Sequence, residues 1–323
     1  MKAKKLFKTV ISYDQFRIRA VIETVKNPKS YLVLVHGRAE WIEKYYDIRS
    51  RLKVADDCAI ISWDHRGQGE SEGQSYHVRS YNDFVKDAQS VLRELVPQNA
   101  SFGIIAHSMG GLISLLGGMQ RKLDPDYMIL CSPLFLLPHR PLPRKVARPL
   151  ADVLYRVGIG PVYTFRSKRK KRFHTNLQTH DVNRYKLLAT SPQPSSPPTF
   201  GWVHATFDAT DQILQEKLLK EIDFPVLVLS GSKEEVVADE GFSRWIAAAL
   251  RVNPEARIMH GRIPQAKHEL LNEIDRLQSQ VLTHILRWSQ TFNIKLPQFE
   301  ITSVGHHVLK AIPEKKTSPI EKS

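Results

Sequence analysis

Phe102-Gly-Ile-Ile-Ala-His-Ser-Met-Gly-Gly-Leu-Ile-Ser-Leu115 sets one serine between an apolar, β-branched run and a helix start made of small residues. A strand that turns sharply into a helix holds the residue at the turn in a strained conformation, its side chain exposed above the sheet, in the pattern G-x-S-x-G. Ser108 occupies that position and is the candidate nucleophile. The strand end and helix start approach closely there, so the flanking residues must be small; here they are Ala106 and Gly110, with Gly111 following. Ala106 stands where glycine is usual, and its single Cβ is the smallest departure available.

Apolar runs of the same kind recur on either side: Tyr31 to His36, Ala59 to Trp63, Tyr127 to Cys131 and Val226 to Ser230. Short, fully apolar, β-branched runs suit strands of a parallel sheet buried on both faces, and helical spacing in segments such as Tyr81 to Leu95 supplies the crossovers. The class is α/β with a mostly parallel central sheet covered by helices. The alternation stops between 138 and 223, where arginine, lysine, aromatics and proline dominate, and resumes at Phe224. The chain therefore divides into a first core part at 1–137, an insertion at 138–223, a second core part at 224–292, and a polar, lysine-rich stretch at 293–323 expected to be a loosely held tail.

A chain of 323 residues with a formal charge of +14 has enough length for a substantial core, and its charge favours an anionic partner. No apolar run is long enough to span a bilayer. The opening segment also lacks the apolar stretch of a secretory signal, so a cytoplasmic location is expected. Cys58 and Cys131 fall in or beside apolar runs without metal-ligand spacing and read as core thiols.

A serine nucleophile needs a histidine base and an acid to orient it, placed at later strand ends in the order serine, acid, histidine. The run Val226 to Ser230 leads into Gly231-Ser-Lys-Glu-Glu-Val-Val237, where Glu234 is the chosen acid and Glu235 is expected to face away. Arg257 to Leu270 then gives a short strand, a loop and His268. Acyl transfer also needs donors for the oxyanion: the backbone N–H of Met109, after the nucleophile, and that of Arg38 in the loop His36-Gly-Arg-Ala-Glu40.

Together, Val35-His-Gly-Arg-Ala-Glu40, Asp64-His-Arg-Gly-Gln-Gly-Glu-Ser71, Ala106-His-Ser-Met-Gly-Gly111, Gly231-Ser-Lys-Glu-Glu-Val-Val237 and Ala266-Lys-His-Glu269 resemble the lysophospholipase and monoacylglycerol lipase branch of the α/β-hydrolases. Within it the chain looks closest to the bacterial inner-membrane lysophospholipases, through Arg38, the Ala-His-Ser start of the turn, the glutamate acid and Arg166 to Tyr185. The resemblance implies the α/β-hydrolase fold, a mainly helical cap formed by the insertion, and hydrolysis of the acyl ester of a lysophospholipid. It also implies no metal or organic cofactor. The Asp64 to Ser71 signature is expected to be a structural turn near the site. Monoacylglycerol or general ester hydrolysis is the alternative, and a non-catalytic lipid-binding protein the competitor from another class.

Within the insertion, the interval from Arg140 to Arg172 carries Arg140, Arg144, Lys145, Arg148, Arg156, Arg166, Lys168, Arg169, Lys170, Lys171 and Arg172 with Asp152 its only acid, and Leu150, Leu154, Tyr155, Tyr163 and Phe165 are interleaved. Such a segment suits an anionic membrane surface or an ordinary solvated face. Nucleic acid is not expected, since no binding motif accompanies the charge.

Overall fold

The computed structural model describes residues 3–138, 142–164, 172–193 and 196–300. Its eight-stranded sheet runs β1 (Lys4–Ile11), β2 (Arg17–Thr24), β3 (Ser30–Val35), β4 (Cys58–Trp63), β5 (Phe102–His107), β6 (Tyr127–Cys131), β7 (Val226–Gly231) and β8 (Ile258–Ile263). The spatial order is β1-β2-β4-β3-β5-β6-β7-β8, with the first two pairings antiparallel and all others parallel.

Every residue of β3, β4, β6 and β7 is buried, because helices cover both faces. On one face lie α2 (Tyr81–Leu95), α3 (Met109–Met119) and α8 (Glu240–Val252), which bring Phe84, Val85, Leu112 and Trp245 into one core. On the other, α1 (Ile48–Arg51) and α9 (Asp275–Thr291) bring Ile48, Val281, Ile285 and Trp288 into a second. Helix α2 shows the sequence logic. Ser80 caps it by accepting from the Asn82 N–H, and Tyr81, Phe84, Val85, Ala88, Val91, Leu92 and Leu95 repeat at helical spacing on the buried face. Each large apolar side chain so buried contributes roughly 1.5–3 kcal/mol.

The hairpin β1–β2 was not among the expected strands. In β1 only Val10 is buried, so its lysine-rich sequence lacks a continuous apolar run and suits an edge strand. The 293–300 stretch also departs from the expected loose tail. Phe299 bridges to Val54, and Gln298 is buried, accepting from the Tyr127 hydroxyl at 2.8 Å and donating to the Tyr31 carbonyl at 3.4 Å. Residues 301–323 lie outside the described residues.

Between β6 and β7 lie α4 (Arg144–Leu154), α5 (Val182–Leu187), α6 (Phe200–Gln212) and α7 (Glu216–Leu219). Two of the basic residues read there as surface charge are instead half-buried and paired. Arg144 pairs with Asp211 and Arg148 with Asp208, both acids coming from α6, beyond the interval counted in the sequence. Arg140, Phe165, Arg166 and Lys168 to Lys171 lie outside the described residues. Both cysteines are buried and free.

Candidate active site

Ser108 caps the step from β5 to α3 with φ 52° and ψ −116°, a left-handed conformation costly for any residue with a Cβ. The turn is this tight because α3 packs directly on the end of β3: a Cβ at Gly110 would stand 2.2 Å from the Val35 carbonyl oxygen. Ala106, at the position where glycine is usual, fits within the buried strand.

The other candidate residues come from the ends of β7 and β8. A Cβ at Gly231 would meet the Ala266 carbonyl oxygen at 2.2 Å, so glycine lets the two loops touch. That contact brings Glu234 Oε2 to 2.8 Å from His268 Nδ1. The second carboxylate oxygen, Oε1, accepts from the N–H groups of Val236 and Val237 at 2.8 and 3.2 Å. Burial alone would raise this carboxyl, but the charge and hydrogen bond of His268 with the two N–H donors hold it at about 2. Glu235 is exposed. His107 packs beside His268, ring centres 4.7 Å apart, and burial pushes it down to about 4, so it adds no positive charge near neutrality.

The loop after β3 sorts its own donors. The Gly37 N–H is taken by Glu40 Oε2 at 2.5 Å and the Ala39 N–H by Gln68 Oε1 at 2.5 Å, while the Arg38 N–H between them has no acceptor among the described residues. The Met109 N–H likewise has none, and its thioether is held by the Trp202 indole N–H at 3.4 Å. The Asp64 to Ser71 turn, expected to be structural, supplies that Gln68. Asp64 itself accepts from the Ile42 and Glu70 N–H groups and from Arg19.

Beneath the loop is a charge cluster that sequence reasoning missed. Lys44, almost fully buried, lies 2.5 Å from Glu40 Oε1 and 2.7 Å from Glu269 Oε2, and the Tyr45 hydroxyl donates to Glu40 at 2.9 Å. Burial opposes the ionisation of Glu40, but Lys44 holds it below the usual carboxylate range; burial and the Glu40 charge push Glu269 up. The signal available was adjacency: Glu40 and Glu269 flank candidate residues, and Glu40 and Lys44 stand four apart.

Gly37, Arg38, Ser108 and His268 open onto one cavity of about 1010 Å³, whose opposite wall includes Thr164, Leu177, Tyr185 and Leu188 of the insertion. The insertion is tied to the histidine loop: the Glu269 N–H donates to the Gln178 carbonyl at 2.8 Å and the Thr179 hydroxyl to that of Asn272 at 2.8 Å. Among the described residues the structure thus gathers Ser108, His268, Glu234, Arg38 and Met109 at one end of the sheet. Such an arrangement can support nucleophilic attack with proton transfer through an oriented imidazole.

The family model described as serine aminopeptidase, S33, matches residues 26–275. The chain is 27% identical over 285 residues to a probable lysophospholipase L2 of Haemophilus influenzae, covering 83% of this chain and 86% of the relative. It is 29% identical over 300 residues to lysophospholipase L2 of Escherichia coli, covering 87% and 86%. Identity to human monoglyceride lipase is 25% over 266 residues, covering 81% and 82%. Among solved structures, a soluble variant of monoglyceride lipase from Saccharomyces cerevisiae superposes with a TM-score of 0.70 at 18% identity, covering 90% of this chain and 97% of that one.

Proposed function

Since the chain belongs to the serine aminopeptidase S33 family of α/β-hydrolases, we propose that it hydrolyses the acyl ester of a single-chain lipid, a lysophospholipid in the first place. Ser108 Oγ attacks the acyl carbonyl while its proton passes to Nε2 of His268, the ring nitrogen left free by the bond from Nδ1 to Glu234. The Arg38 and Met109 N–H groups receive the oxyanion. Collapse expels the glycerol-side alcohol, which takes the proton from His268, and water then releases the fatty acid from the acyl-enzyme by the same route. Glu234 keeps the imidazole oriented and stabilises its charged form.

The observation that carries this proposal is the meeting of a strained serine, a carboxylate-oriented histidine and unclaimed N–H donors on one roofed cavity. Monoacylglycerol hydrolysis is the second reading, favoured by similarity to monoglyceride lipases. Fatty-acid release from a lysophospholipid and from a monoacylglycerol of the same chain length separates the two: a higher kcat/KM on the lysophospholipid supports the first, and activity confined to the neutral lipid overturns it.

The cap docks on an anionic bilayer, the cytoplasmic membrane face in our proposal. No described helix is long and apolar enough to cross a membrane. Val146, Leu150, Val153 and Val157 instead form a stripe at helical spacing along α4 and the turn that continues it, each 45–64% exposed. Of the apolar residues read from sequence, Leu150 and Tyr163 are exposed while Leu154 and Tyr155 are half-buried and Phe165 lies outside the described residues; Val146, Val153 and Val157 join Leu150 as the apolar complement of the insertion's basic residues.

A further inference from the structure

The chemistry above uses only the backbone of Arg38. Its side chain lines the cavity that holds Ser108 and His268, with the guanidinium carbon 5.5 Å from the centre of the Tyr76 ring and 5.4 Å from that of Trp202. Nη1 is shut off from solvent with no acceptor, and no carboxylate pairs with the group among the described residues. Three cations with little exposure among the described residues are, by contrast, paired: Lys44 with Glu40 and Glu269, Arg19 with Glu43 and Asp64, Arg66 with Asp14 and Asp87. Two rings give Arg38 cation–π stabilisation but no acceptor in the plane of its N–H donors. Burial without an anion opposes its charge.

A permanently charged, planar fork left unpaired on a catalytic cavity is suited to an anion that arrives with the substrate, and a phosphate matches its geometry in two-point contact. The same residue offers a backbone N–H to the ester oxygen and, one side chain away, the guanidinium. Three glycerol carbons separate an acyl ester from a phosphate on a similar scale. We propose that the Arg38 guanidinium is the subsite for a phosphate carried on the glycerol side of the ester, which rests on the lipid-ester function argued above and narrows its substrates to phosphate-bearing ones. Two other cations line the same cavity among the described residues: Lys44 is already held by Glu40 and Glu269, and Arg172 is an exposed residue of the insertion, whereas Arg38 stands on the loop that carries the oxyanion donor.

The test uses the full chain, with hydrolysis of p-nitrophenyl butyrate as the readout. Glycerol 3-phosphate should inhibit competitively, equimolar glycerol should not, and Arg38→Met should raise the inhibition constant by roughly tenfold or more. Arg38→Lys, which keeps the charge without the fork, should fall between. Inorganic phosphate run alongside tells a subsite that reads only the phosphate from one that also reads the glycerol. With long-chain lipids, Arg38→Met should lower kcat/KM for a monoacyl glycerophosphate relative to the matching monoacylglycerol, chiefly through KM. Equal inhibition by glycerol and glycerol 3-phosphate, or proportional loss on both lipids, overturns the proposal. The wild-type inhibition comparison stands even where Arg38→Met does not fold. Phosphate inhibition dependent on Arg38 in an enzyme that cleaves neither lipid would keep the subsite and reject the lipid-ester function.

Discussion

His268 Nδ1 and Glu234 Oε2 lie 2.8 Å apart across 34 residues of sequence, and the carboxylate's other oxygen is occupied by two backbone N–H groups. The glutamate is thus held by contacts independent of the imidazole, and a carboxylate at Nδ1 favours the tautomer that donates from that nitrogen. Glu234→Gln should lower kcat on the order of 10³-fold, while Glu235→Gln, on an exposed side chain, should change it little. Kinetics of the two variants on one ester decide the matter, and reversed ranks would make Glu235 the acid.

The same pair has a pH signature. The Glu234 carboxyl is held at about 2, below its value of ~4.3 in an unfolded chain, so its contribution to stability is complete above the unfolded value and is lost as pH falls toward 2. That contribution is on the order of 2–3 kcal/mol. Urea unfolding of wild type and Glu234→Gln should show a gap at pH 5 that narrows by pH 3. A gap that widens on acidification would contradict the assigned direction.

Lys44 sits between two buried carboxylates under the loop that carries Arg38. Lys44→Met leaves both without a counter-charge and should destabilise the fold by about 3–5 kcal/mol. Lys220→Met, which breaks the exposed pair with Glu216, should leave the melting temperature almost unmoved. Similar melting shifts in the two variants would remove the buried cluster from the account.

Vesicle sedimentation tests the cap surface. Val153→Asp with Val157→Asp should weaken binding to anionic vesicles, and neutralising Lys168 to Arg172 should weaken it by about 1 kcal/mol per residue, an effect screened by salt. Wild-type protein that ignores anionic vesicles at low salt would leave both features an ordinary surface.

What was legible in the sequence followed from how strongly each feature is constrained locally. The strands β3 to β7 are buried on both faces and so read as unbroken apolar runs, and Ser108 is marked by the small residues its turn demands. Glu234 and His268, proposed here as acid and base, stood out because each follows a strand end in the expected order, and the structure brings the two within 2.8 Å. Contacts between distant elements left no such mark. Strand β1 presents mostly exposed residues, Arg144 and Arg148 find their acids only once α6 folds across them, and Gln298 is anchored by tyrosines more than 170 positions away. That Arg38 has no carboxylate partner among the described residues, and that its Nη1 is buried without an acceptor, is visible only once the chain is folded.

Release of fatty acid from a lysophospholipid, followed with wild type, Ser108→Ala and His268→Ala under identical conditions, tests the central claim most directly. Wild type should turn over, and each variant should lose on the order of 10⁶-fold in kcat while unfolding at an unchanged temperature, because serine and histidine act as a unit. Substantial release by folded Ser108→Ala would contradict the account.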